Sequence, residues 1–397
     1  MSAEVRNTLK DGRLTIFLSG RIDTNNAEAT EAAIKAAIPE TGVNEIVIDA
    51  EELKYISSAG LRILMRIKKS CCSLEEIQNV SQEVYNIFEL TGFIEIFNVT
   101  KQLRRIDVTG CEVIGKGFYG TVYRIDEETI VKVYQSPESL SMIKNEKALA
   151  KAALVAGVPT AISYDIVRVG DSYGSVFELL RAKTFNDLLI GNTSAPEGII
   201  KQYAEFLKLV NSREVPPGRL PSSKQRFLEY LDYISPLLDD EDFRRLRELI
   251  EAVPEQNNVV HGDAQMKNIM QDENGPMLID MDTLTAGHPI FDIQSVYVTY
   301  RAFGEDYPQN SLDFLGVPDE IVIQVWERFP YYYFGTDDET VISVLRDRIA
   351  LMGCVRFLFL IKRSAGAEDE LYRKRVSRTQ GRIKELLGRV DRLTFDI

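Results

Sequence analysis

At 397 residues the chain exceeds one ordinary domain and holds material for two or three buried cores, and its 45% hydrophobic content reads as globular. Sixty acidic side chains against 47 lysines and arginines leave a formal charge of -13, which argues against a nucleic-acid backbone as partner, because that binding is driven by neutralising phosphates. No apolar run spans a bilayer, the start MSAEVRNTLK has no secretory pattern, and Cys71, Cys72, Cys111 and Cys354 show no metal-ligating spacing; the expectation is a reduced, cytoplasmic protein with no membrane partner and four core thiols.

Strand-like and helix-like patterns alternate over the first hundred residues, which predicts an α/β layer structure. RLTIFLSG (13–20) and NEIVIDA (44–50) are short β-branched runs, whereas NNAEATEAAIKAAI (25–38) has helical spacing. SAGLRILMRIKK (58–69) places Leu61, Leu64 and Ile67 on one helical face with Ser58 as the predicted N-cap, and SQEVYNIFELTG (81–92) repeats the pattern with Gly92 as its stop. Apolar periodicity lapses near TKQLRRIDVTG (100–110), so the predicted boundary is at 104/105. Residues 105–180 read as strand-rich with one helix, and residues 181–397 as mostly helical, giving an α+β two-lobed second domain.

VIGKGFYGTVYRI (113–125) carries Gly115, Gly117, Gly120 and Val122 in a GxGxxGxV pattern. A dinucleotide-binding turn shares that spacing but opens a helix; here TVYRI continues as a strand and TIVKVY returns as the second arm of a hairpin. Such a hairpin covers nucleotide phosphates in a protein-kinase-like fold, with glycines that let amides approach the phosphate oxygens. Lys132 lies in the second arm. Alone it reads as a solvent-facing strand lysine; twelve residues after Gly120 it falls where a kinase places the lysine that contacts the α- and β-phosphates. Glu146, on the helix that follows, is the candidate carboxylate to hold it, and it also reads as an ordinary helix charge.

The stretch VVHGDAQMKNIM (259–270) supplies the chemistry. Transfer of a γ-phosphoryl group needs a carboxylate that orients the attacking hydroxyl and accepts its proton, and oxygen ligands for the metal that bridges the phosphates. Asp263 is the predicted acid/base, and Asn268 and Asp280 the predicted magnesium ligands. Each acid alone also reads as a turn or cap residue, and His261 as a packed imidazole. What weighs against coincidence is the series, all of it in kinase order. Asp282 reads as a second metal contact or a structural acid. Gly262 replaces the arginine through which many protein kinases sense activation-loop phosphorylation. Only eleven residues separate Asp280 from Asp292, which leaves no peptide-binding segment and favours a small hydroxylated acceptor. FPYYYFGTDDE (329–339) sets aromatics beside acids, either as a site for an ammonium group or as packed helix ends.

Through HGDAQMKNIM, LIDMDT and GHPIFD, residues 105–397 resemble the aminoglycoside phosphotransferase and choline kinase group. The resemblance implies ATP and Mg2+ as cofactors, a catalytic set of Asp263, Lys132 and Glu146, and Asp292 as a structural acid under the catalytic loop. It implies SVFELL (175–180) as the hinge, with Phe177, Glu178 and Leu179 offering backbone groups to adenine. Many relatives have a second His where Gln265 stands.

Residues 1–104 resemble the STAS domain of anti-sigma factor antagonists, through IVIDAEELKYISSAGLRIL (46–64) and IQNVSQEVYNIFELTGF (77–93). The resemblance implies a protein partner and places the phosphorylatable serine of regulatory members at Ser58. A phosphate there would meet the free amides of a helix start and add roughly -1.5 to -2 charges. The reading is an ATP- and magnesium-dependent phosphotransferase acting on the hydroxyl of a small molecule, with a STAS module for regulation or docking. The alternative is an antagonist-type signalling protein whose kinase-like half senses nucleotide or phosphorylates protein serine, Ser58 included.

Overall fold

The computed structural model describes residues 3–39, 41–70, 73–116, 120–136, 139–364 and 369–395. It divides the chain into two units: Met1–Asp107 with Ile166–Gly170, and Val108–Asp165 with Asp171–Ile397.

The first unit opens with a hairpin of β1 (Glu4–Lys10) and β2 (Arg13–Ile22), turned by Asp11 and Gly12 at φ 50° and 79°. Two positive φ values match the strand twist, which is why Asp-Gly occupies the turn. Helix α1 (Ala27–Ala37), β3 (Glu45–Ile56), α2 (Ser58–Ser70), β4 (Leu74–Val80), α3 (Gln82–Leu90) and β5 (Asn98–Lys101) follow, in the sheet order β1-β2-β3-β4-β5 with β2 to β5 parallel. Alternation along β2 buries Leu14, Ile16 and Leu18. Ile34 of α1, Leu61, Leu64 and Ile67 of α2, and Val84 and Phe88 of α3 complete one core with them. Each such side chain contributes about 1.5–3 kcal/mol relative to exposure. The short β6 (Arg104–Arg105) ends the stretch.

One cap differs from expectation. Ser57, not Ser58, caps α2: its Oγ accepts the Gly60 N–H at 3.4 Å, and Ser58 is the first helical residue, with an exposed side chain. The capping oxygen must come from the last non-helical residue, and the helix begins at Ser58. Gly92 adopts φ 74° just past α3, as expected of a helix stop.

In the second unit β7 (Glu112–Lys116), β8 (Gly120–Arg124) and β9 (Thr129–Tyr134) form an antiparallel meander, and α4 (Leu140–Val155) follows. Strand β10 (Asp165–Val169) falls largely within the first unit, where Val167 pairs with Arg104 of β6. Strand β11 (Ser172–Glu178) pairs antiparallel with β9, so the second unit's sheet runs β7-β8-β9-β11.

The larger lobe begins with β12 (Lys183–Thr184) and α5 (Phe185–Ile190), whose start is a capping box of Thr184 and Asp187. Helices α6 (Glu197–Asn211), α7 (Ser223–Ile234) and α8 (Asp240–Glu251) precede four short strands: β13 (Val259–Val260), β14 (Ile269–Asp272), β15 (Gly275–Leu278) and β16 (Thr285–Ala286). Helices α9 (Ile290–Tyr297), α10 (Phe303–Asp306), α11 (Asp319–Phe334), α12 (Glu339–Ser364) and α13 (Glu370–Leu387) complete the unit. Tyr203, Phe291, Tyr300, Phe329 and Phe357 are fully buried in its core. Among the described residues no helix is long and apolar enough to cross a membrane. Cys354 is buried and Cys111 half-buried; Cys71 and Cys72 lie outside the described residues.

Candidate active site

Lys132 sits opposite Val122 of β8 and Ser175 of β11, between two strands rather than at a sheet edge. Pleating sends Val131 into the core and Lys132 to the other face, toward α4. Its Nζ lies 2.6 Å from Asp280 Oδ1 and 3.4 Å from Glu146 Oε1, and Tyr134 donates its hydroxyl to Glu146 Oε2 at 2.6 Å. Glu146 is thus a buried partner of Lys132, not a solvated helix charge. Burial works against the Lys132 charge, but Glu146 and Asp280 outweigh it and hold the ammonium protonated well above its ordinary range.

The loop after β13 is tied down on every side. Asp292, at the start of α9, accepts the Gly262 N–H through Oδ1 at 2.8 Å and the Asn211 side-chain amide through Oδ2 at 2.6 Å. Tyr333 donates to Asn211 Oδ1 at 2.8 Å, Tyr203 donates to the Ala264 carbonyl at 2.8 Å, and the Met266 N–H donates to the Tyr300 hydroxyl at 2.8 Å. His261 is fully buried; its Nδ1 accepts the Asp263 N–H at 3.3 Å while Nε2 lies 3.1 Å from the Ile279 carbonyl, which fixes the proton on Nε2. Burial raises the Asp292 carboxyl, opposed by His261 and by its amide donors.

Asp263 emerges from this frame partly buried. Its Oδ2 accepts from Gln265 Nε2 at 3.1 Å and Asn268 Nδ2 at 3.1 Å, and Asn268 also donates to the Asp263 carbonyl at 2.8 Å. Both amides donate, so they stabilise the ionised carboxylate. Oδ1 accepts no bond among the described residues, and neither does the amide oxygen of Asn268. Burial raises the Asp263 carboxyl; His261 and Arg356 draw it back, and the charge of Asp280 pushes it up again.

Asp280 follows β15 with φ 62°, a left-handed conformation that a non-glycine residue holds only when its surroundings impose it. The restraint is visible: the Ile279 N–H donates to the Asn268 carbonyl at 2.9 Å, so the Asp280 segment is bonded directly to the Asp263 loop. Asp282, two residues on, is pushed up to about 6 by burial and by the charges of Asp280 and Glu146.

Strand pairing governs several positions of the hairpin and hinge. A Cβ at Gly120 would lie 2.3 Å from the Val133 carbonyl, so the pairing of β8 with β9 by itself demands glycine there. A Cβ at Gly115 would meet Val122 at an ordinary 3.7 Å. Gly117 lies outside the described residues. In the hinge, Phe177 and Glu178 pair with Ile130 and Thr129, and the Leu179 N–H is already bonded to the Glu128 carbonyl at 2.7 Å. Leu179 therefore has no amide to offer a base.

The motif FPYYYFGTDDE resolves as packing: Phe329 and Tyr333 are fully buried, Tyr331 bonds Glu339, and Tyr332 bonds Glu197. Sequence reasoning missed Asn211, Tyr203, Tyr300 and Tyr134, whose partners lie too far along the chain, or too dependent on side-chain direction, for spacing to show.

Residues 110–328 match the model of the phosphotransferase enzyme family. The chain belongs to that family. Residues 3–106 match the STAS domain, so a STAS domain precedes a kinase-like phosphotransferase fold. Ninety-five residues are 36% identical to BtrV of Bordetella bronchiseptica, a protein named as an anti-sigma factor antagonist, over 22% of this chain and 78% of that one. Among solved structures, the phosphotransferase is similar to ADP-bound aminoglycoside phosphotransferase APH(2'')-Ib, at 17% identity and TM-score 0.45 over 77% of this chain and 99% of that one. It is also similar to a thermostable mutant of aminoglycoside phosphotransferase APH(4)-Ia in complex with AMP-PNP and hygromycin B, at 12% identity and TM-score 0.48 over 71% of this chain and 94% of that one.

Proposed function

We propose that this phosphotransferase moves the γ-phosphoryl group of ATP to the hydroxyl of a small molecule. The observation that supports this most is the linkage of Lys132, Glu146 and Asp280 to the Asp263 loop through the bond between Ile279 and Asn268. Lys132, kept cationic, binds the α- and β-phosphates, and Glu146 with Tyr134 fixes its direction. The free Oδ1 of Asp263 receives the acceptor hydroxyl. The acceptor oxygen bonds to the γ-phosphorus, the bond from that phosphorus to the bridging oxygen breaks, ADP leaves, and the acceptor's proton passes to Asp263.

The free oxygens of Asp280 and Asn268 fit a hard cation. Among the described residues no group of three or more His, Cys, Asp and Glu could hold a metal alone, so the ion would share its shell with the nucleotide phosphates. Magnesium, when bound, neutralises charge developing on the phosphate oxygens.

Residues 1–104, in this reading, dock a protein partner or regulate the activity. A second reading is favoured by the BtrV likeness and by the exposed Ser58: a signalling protein that senses nucleotide or phosphorylates protein serine, Ser58 included. Labelled ATP and magnesium with amino sugars, choline-like alcohols and nucleosides, followed by mass spectrometry of the protein, separates the two. A phosphorylated small molecule with unmodified Ser58 supports the first, and label on Ser58 alone supports the second.

A further inference from the structure

Arg226 of α7 and Arg356 of α12 stand on one wall of the large lobe, near the loop that carries Asp263. Arg226 donates Nη1–H to the Thr283 carbonyl, and that carbonyl packs against Gly262, where a Cβ would stand 3.0 Å away. Arg226 is therefore placed next to the loop that carries Asp263. Arg356 stacks on Tyr230 and Phe359, its guanidinium carbon 4.8 and 5.4 Å from the two ring centroids, and the rings lie 4.0 Å apart. Tyr230 lies one helical turn from Arg226 on α7, so Arg356 stands on the same face of that helix as Arg226.

The partners of both are a carbonyl and rings; among the described residues neither has a carboxylate within ion-pair distance. The acids of α7 are engaged elsewhere, Asp232 with Arg247 and Glu229 with Gln225. In a chain with thirteen more acidic than basic side chains, that leaves a positive wall beside the proposed acid/base. Ring stacking holds a guanidinium by its face and leaves its N–H edge free for a planar or tetrahedral oxyanion. An ammonium-bearing acceptor would meet like charge on the same wall.

We propose that the acceptor carries a carboxylate or phosphate beside its hydroxyl, and that Arg356, supported by Arg226, binds that anion while Asp263 takes the hydroxyl. This rests on the phosphotransferase reading above and names its substrate class.

The test uses the full chain, γ-labelled ATP, magnesium, and the small-molecule pool of a bacterial extract split by ion exchange into anionic, neutral and cationic fractions. Labelled product is expected from the anionic fraction, and phosphate-bearing and carboxylate-bearing acceptors are told apart by the mass of the product. For that acceptor, Arg356→Gln is expected to raise KM about 10- to 100-fold, as loss of a charge-assisted pair predicts, with KM for ATP within twofold of the parent; Arg356→Lys falls between. Product from the neutral or cationic fraction alone, or an unchanged acceptor KM in Arg356→Gln, overturns the inference and leaves the phosphotransferase reading standing. No product from any fraction while ATP binds overturns both.

Discussion

Asp292 Oδ1 accepts the backbone N–H of Gly262 at 2.8 Å, joining two residues 30 positions apart. Gly262 has φ 83°, and a Cβ there would press on the Thr283 carbonyl at 3.0 Å, so the loop that presents Asp263 turns where only glycine fits and is then pinned by a buried carboxylate.

Replacing Asp292 by Ala leaves the Gly262 N–H and one Asn211 amide hydrogen without a partner, while the other keeps the Val259 carbonyl. Unfolding free energy should fall by about 1–3 kcal/mol per unsatisfied group, read from urea titration. kcat should fall with KM for ATP little changed, because the residue positions Asp263 and touches no nucleotide.

Lys132→Met removes the cation between Glu146 and Asp280. Phosphoryl transfer should drop by about 10²–10³-fold and ATP affinity should weaken in calorimetry. Glu146→Gln keeps the shape but loses the charge, so it should cost less than Lys132→Met.

The Asp263 carboxyl is raised by burial and must be ionised to accept a proton. Activity should therefore fall as pH drops, with a midpoint above the ordinary aspartate value. Because Arg356 lowers this group, Arg356→Gln should move the acid limb of log kcat to higher pH. An acid limb unmoved in that variant would dissociate Arg356 from Asp263.

A methyl group at Gly120 collides with the Val133 carbonyl. Gly120→Ala should destabilise the β8–β9 hairpin by about 1–3 kcal/mol and weaken ATP binding through lost hairpin order, measured by amide exchange and calorimetry.

In the STAS domain, Arg66 and Lys35 hold the Glu31 carboxyl down at about 2, against 4.5 when unfolded. A lowered carboxylate stabilises above its unfolded value and loses that contribution as pH falls from about 4.5 toward 2. Glu31→Gln should cost less than about 1 kcal/mol at pH 7, since Arg66 is half exposed, and nothing near pH 2.

The parts of this arrangement legible in the sequence are those set by local order. Alternation in RLTIFLSG placed Leu14, Ile16 and Leu18 in the core, and chain order alone brought out Lys132, Glu146, Asp263, Asn268 and Asp280. Ser57 in place of Ser58 as cap is a shift of one residue, because two adjacent serines offer the same oxygen and only the helix start decides between them. Gly120 meets a demand that spacing does not encode, since strand proximity at Val133 is a pairing property. At Leu179 the amide turns back to Glu128, a direction set by strand register that spacing does not encode. Arg356 left one trace, a charge between Val355 and Phe357 in an apolar helix, and its stacking on Tyr230 needed the packing of α7 against α12 to be seen.

The most direct measurement is transfer of label from γ-labelled ATP by the parent chain and by Asp263→Asn, counting water and the metabolite pool as acceptors and measuring ATP affinity alongside. Transfer should vanish in Asp263→Asn while ATP still binds. Equal transfer by the two chains would contradict Asp263 as the acceptor of the proton and, with it, the site described here.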